Sequence, residues 1–173
     1  MTEQDYLEAL RNLWPKESVP GASVATLALA DEAVLRFPDS PSLWQRRGDL
    51  IQLGDGKSAH SLEDALHSYE TAVKLDPGFA EAYESIGYYF DVIHEDLPLA
   101  GAAFLKATQL GGGGYSWAGL ARVLAEQSRP LGEILEMLDN CPFAGTPAVH
   151  QIRKELEDGR WHPVVQGMHP SSV

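Results

Sequence analysis

Three stretches of this 173-residue chain repeat one another at fixed offsets, and no other feature limits its possible folds as much. Trp44-x-x-Arg47-Gly48-x-x-Ile51 recurs as Tyr83-x-x-Ile86-Gly87-x-x-Phe90 and, 34 residues on, as Trp117-x-x-Leu120-Ala121-x-x-Leu124. A second pattern alternates with the first. Ala65-x-x-x-Tyr69-x-x-Ala72-x-x-x-x-Pro77 returns as Ala100-x-x-x-Phe104-x-x-Ala107, and its tail stands upstream as Ala30-x-x-Ala33-x-x-x-x-Pro38. Residues three, four and seven apart share one helical face, so each pattern describes one helix of a pair. A glycine inside a helix costs roughly 1 kcal/mol relative to alanine and is tolerated where the partner helix must pass close by. Gly48 and Gly87 are expected to be such approaches, with Tyr69 and Phe104 as the large side chains of the second helices and Ala65, Ala72, Ala100 and Ala107 as the small ones.

These motifs resemble the tetratricopeptide repeat, a 34-residue helix–turn–helix unit. The resemblance implies an all-α fold, a right-handed α-solenoid of helix–turn–helix repeats with capping helices, because such units bury their faces only by stacking. It is specific over about residues 40–110, moderate over 22–39 and 115–142, and absent at both ends. Pro38 and Pro77, Ala33 and Ala72, and Gly48 and Gly87 are each 39 apart, five more than the family period. The added residues fall in Gly54-Asp55-Gly56-Lys57-Ser58-Ala59-His60, a connection that tolerates length because closure entropy grows slowly.

Nine helices are predicted, over about 2–14, 22–37, 41–54, 61–75, 79–93, 97–109, 115–127, 130–140 and 146–158. The first carries Tyr6, Leu10, Leu13 and Trp14 on one side and stops at Pro15; the second presents Leu27, Ala30, Ala33 and Val34. Ser61 with Asp64 reads as a capping box, Asp76-Pro77-Gly78 as the junction between pairs, and Thr146-Pro147 as the start of the last helix. The clear repeats are 41–75 and 79–109, the degenerate ones 22–38 and 115–142. One domain over 1–158 and a carboxy-terminal tail over 159–173 result. Gly111 to Gly114 read as a hinge between repeats. Trp161 either docks on the end of the stack, the favoured reading, or acts as a recognition element in a loose tail.

The net charge is −12, and residues 39–110 hold twelve acidic side chains against five basic ones. Nucleic acid needs a basic footprint and is a poor partner; a basic protein is a better one. The first residues lack the pattern of a secretory leader, no run reaches the 18 apolar residues of a membrane span, and a lone Cys141 forbids an internal disulfide; a cytoplasmic location is the expectation.

No catalytic or metal constellation emerges. His94-Glu95-Asp96-Leu97-Pro98 begins like a zinc-protease motif but lacks its second histidine. His60 and His67 read as solvated surface histidines and Cys141 as a small packing residue. A non-enzyme that folds without metal or other cofactor is expected.

In tetratricopeptide proteins the first helix of each repeat lines a concave groove that holds a peptide or helix of another protein. Carried onto this chain, the resemblance implies a groove of Ser42, Gln45, Asp49 and Gln52, then Glu81, Glu84, Tyr88 and Asp91, then Tyr115, Ala118 and Arg122. The acids among them are expected to be exposed. A clamp for a terminal carboxylate is excluded, since these acids would repel it. Two functions fit: an adaptor or scaffold holding a segment of a basic partner, or a stoichiometric inhibitor, of the immunity-protein kind, of a basic effector such as a nuclease.

Overall fold

The computed structural model describes residues 1–15, 21–54 and 59–161. Among these it contains nine helices: α1 (Glu3–Asn12), α2 (Val24–Arg36), α3 (Pro41–Gln52), α4 (Leu62–Leu75), α5 (Ala80–Val92), α6 (Leu97–Gln109), α7 (Gly114–Glu126), α8 (Leu131–Asn140) and α9 (Pro147–Glu157). The described residues form no strand; Ala22 and Gly54 make one isolated bridge. The centre of the long 54–60 connection, residues 55–58, and tail residues 162–173 lie outside the described part.

Each helix packs on the next, and the odd-numbered helices also meet in order, α1 on α3, α3 on α5 and α5 on α7. The close approaches fall at glycines. A Cβ on Gly48 would collide with the Tyr69 ring, and one on Gly87 would stand 2.7 Å from Cδ1 of Phe104. Phe104 meets a second glycine that the repeat does not flag: Gly119 of α7 packs on the same ring, so one buried phenylalanine is wedged between α5 and α7. Leu27, Ala30, Ala33 and Val34 are all buried. On α1, Tyr6 and Leu10 are buried, but Leu13 is exposed and Trp14 lies under the Arg46 guanidinium, 4.8 Å from its ring centre.

Helix ends follow their sequence signals unevenly. The Ser61 and Asp64 box is formed in both directions, at 3.3 Å and 2.8 Å. Pro77 lies outside α5, in a turn where the Gly78 amide donates to Asp76 Oδ1 at 2.8 Å. Pro147 opens α9, but the Thr146 hydroxyl donates back to the Phe143 carbonyl instead of capping the helix. Gly111, with φ +86°, ends α6 in a Schellman turn, its amide bonded to Thr108 and that of Gly112 to Ala107. The glycine run read as a hinge thus begins as a hydrogen-bonded stop.

Candidate functional site

The eleven residues expected to line a groove lie on α3, α5 and α7, and the structure divides them sharply. Asp49 is turned inward. Its carboxylate accepts hydrogen bonds from Gln45 Nε2 (2.5 Å), Ser85 Oγ (2.9 Å) and the Tyr69 hydroxyl (3.0 Å). Burial raises its pKa despite these donors, and the same burial raises that of Tyr69. On the next repeat Glu84 accepts from Ser116 Oγ at 2.5 Å, and burial raises its pKa too. Asp91, with a side chain only 4% exposed, is paired with the Arg122 guanidinium. Of the four acids expected to be exposed, three are spent on internal partners and only Glu81 faces solvent freely. The expectation fails because a buried acid holding its own donors and a solvated one leave the same mark in the helical pattern.

The remaining polar positions of α3 are half-buried, Ser42 and Gln52 among them. The open end lies further along. Tyr88 stands edge-on to Phe104, ring centres 4.9 Å apart, and its hydroxyl donates to the Tyr115 carbonyl at 3.3 Å; burial pushes its pKa up to about 12. Tyr115 is 66% exposed. Tyr88, Tyr115, Ala118 and Arg122 line a cavity of about 160 Å³ whose opposite wall is α9, through Gln151, Ile152 and Glu155. The last helix, expected only to cap the stack, therefore builds part of this site. No repeat signal marks α9; its Gln151 and Glu155 look like ordinary surface residues at i and i+4 spacing.

Trp161 reaches the same place. Its indole Nε1–H donates to Glu155 Oε2 at 2.8 Å, and Arg122 lies 5.2 Å from its ring centre. A second cavity, of about 410 Å³, opens beside it among Asp91, Val92, Glu95, Leu97, Arg122 and Glu126. Burial raises the pKa of Glu126.

A second polar cluster sits away from this face. Arg47 donates to Asp31 (2.7 Å) and Ser68 (2.6 Å), and His60 Nε2 hydrogen-bonds Asp31 at 2.9 Å. His60 is thus hydrogen-bonded into the cluster around the Arg47–Asp31 ion pair rather than a solvated histidine. His67 packs edge-on to Trp44 at 6.5 Å, His94 shares a hydrogen bond of 2.9 Å with the Tyr89 hydroxyl, and Cys141 is buried. Among the described residues no three potential ligands gather where they could hold a metal ion, and no helix is long and apolar enough to cross a membrane.

Compared with known proteins, the chain matches no family model and no curated protein.

Proposed function

We propose that the chain is a non-catalytic protein-interaction module, a tetratricopeptide-like right-handed solenoid. Its α3, α5 and α7 face, walled by α9, holds a peptide or helical segment of a basic partner. The observation that carries this reading is the cavity between α5, α7 and α9, where two tyrosines and an arginine converge without a catalytic set beside them. Aromatic and arginine side chains in partly open pockets are the usual anchors of protein interfaces. The excess of acid over base in residues 39–110 favours a basic partner and speeds its capture.

The test is an affinity pull-down followed by binding kinetics on the captured protein. Tyr115→Ala and Glu81→Lys, both on exposed side chains, are expected to raise Kd, by about tenfold for the tyrosine, while the exposed pair Glu63→Lys and Glu70→Lys on α4, outside this face, leaves it unchanged. Loss of binding in the second pair, with the first without effect, would overturn the reading.

A further inference from the structure

We infer that the surface between α5, α7 and α9 recognises a basic residue followed by an aromatic one, and that the chain's own Arg160-Trp161, whose indole forms one wall of the cavity there, is seated on it as a tethered competitor of the partner. The inference rests on the interaction-module reading above.

Glu155 is the centre of the site. Its two carboxylate oxygens divide the dipeptide between them: Oε2 accepts the Trp161 indole N–H at 2.8 Å, and Oε1 faces the Arg160 guanidinium at 3.9 Å while accepting from Gln151 at 3.0 Å. These hydrogen bonds hold the Glu155 pKa below the usual carboxylate range, Gln151 contributing most and Trp161 next. Arg122, fixed by Asp91, supplies the cation over the indole face.

The backbone bends to deliver this contact. Gly159 (φ +79°) ends α9 in a Schellman turn, with Arg160 N–H bonded to the Glu155 carbonyl at 2.9 Å. Trp161 itself then adopts φ +69°, the left-handed region that a bulky residue avoids unless its surroundings favour it. Seating is nonetheless partial. Trp161 stays 37% exposed, whereas the core rings Tyr69, Tyr89 and Phe104 are fully buried, and it lines both the 160 Å³ and the 410 Å³ cavities. An aromatic held by one carboxylate and one guanidinium, with space on either side, is placed to exchange with a similar residue from another chain. The acids around the second cavity, Glu95 and Glu126, suit the basic neighbour such a residue would bring.

The experiment uses the full chain carrying Trp161→Ala, ¹⁵N-labelled, and a synthetic peptide with the sequence of residues 159–165. A tethered segment acts at an effective concentration on the order of 1 mM, so nine-tenths occupancy in cis requires a Kd of about 0.1 mM or tighter, and the titration runs to ~1 mM. Saturable shifts are expected in the amides of Tyr115 to Arg122 and Gln151 to Glu155. The wild-type chain should bind the peptide about tenfold more weakly, because its site is already filled. The same peptide with alanine for tryptophan, or a receptor carrying Glu155→Lys as well, should show no saturation. Absence of saturable shifts in the Trp161→Ala chain, or equal affinity in the wild type, overturns the inference. For the partner captured above, Trp161→Ala should tighten binding about tenfold; an affinity unchanged by it but lost with Tyr115→Ala would sink the competitor and leave the interaction face standing.

Discussion

Asp49 and Tyr88 hold the same place in successive repeats, one residue after Gly48 and Gly87, yet one is closed and the other open. Asp49 is enclosed by donors from three helices, α3, α4 and α5. Tyr88 edges a cavity beside the exposed Tyr115. The third member of the series, Arg122, follows Ala121 and turns back to pair with Asp91 of the preceding repeat. A position's place in the repeat fixes the face it occupies; the size and hydrogen-bonding capacity of the opposing side chain decide whether that face is available. The α3 end of the surface spends its polar groups on cohesion, and the α7 and α9 end keeps an open cavity.

The contrast can be broken most decisively by reversing charge at both ends. Asp49→Lys places a cation among donors that need an acceptor and should cost about 3–5 kcal/mol, read as a fall in urea midpoint, whereas Glu81→Lys should change stability by less than about 0.5 kcal/mol. Equal losses would mean that Asp49 is not closed in. Gly87→Leu comes next. It drives a side chain into Phe104 and should cost about 1–3 kcal/mol, more if the helices separate, with helicity by circular dichroism as the check.

A subtler test uses pH. Asp49 and Glu84 have folded pKa values raised by burial, so each binds its proton more readily folded than unfolded. Their penalty on stability is full above the raised values and vanishes below the unfolded value near 4, so their contribution rises as pH falls through that window. Asp49→Asn keeps an acceptor and removes the charge: its Tm at pH 7 should equal or exceed that of the wild type, and the difference should shrink towards pH 4. A constant offset across that range would contradict a carboxylate whose pKa burial raises. Smallest in stability is Tyr115→Ala, below about 0.5 kcal/mol because the ring is largely exposed, so any loss of partner binding it causes belongs to the interface.

Much of this architecture was legible beforehand. Helix spacing and the glycine-to-ring contacts follow from 3.6-residue periodicity and volume, and Ser61 marked its helix start correctly. The site was less so. Arg47 stands where the other repeats have Ile86 and Leu120, and only the arrival of Asp31 and Ser68 from other helices makes a charged side chain tolerable there. Glu155 and Trp161 carry no repeat signal because their significance depends on where α9 lies, which is a matter of long-range packing. Gly119 was missed for a similar reason: Phe104 reaches across to a repeat beyond its own.

Asp49 of α3 takes a hydrogen bond from Ser85 of α5, and Glu84 of α5 takes one from Ser116 of α7. A copy of the α5 and α6 block spliced in beside the original would bring Glu84 opposite its own duplicate's α5 rather than α7, with no Ser116 to meet it. Excision of the block would leave Asp49 without Ser85. These two serines thus tie the number of helix pairs to particular neighbours: a longer or shorter arrangement keeps both carboxylates fully supplied only with a new donor at the altered junction.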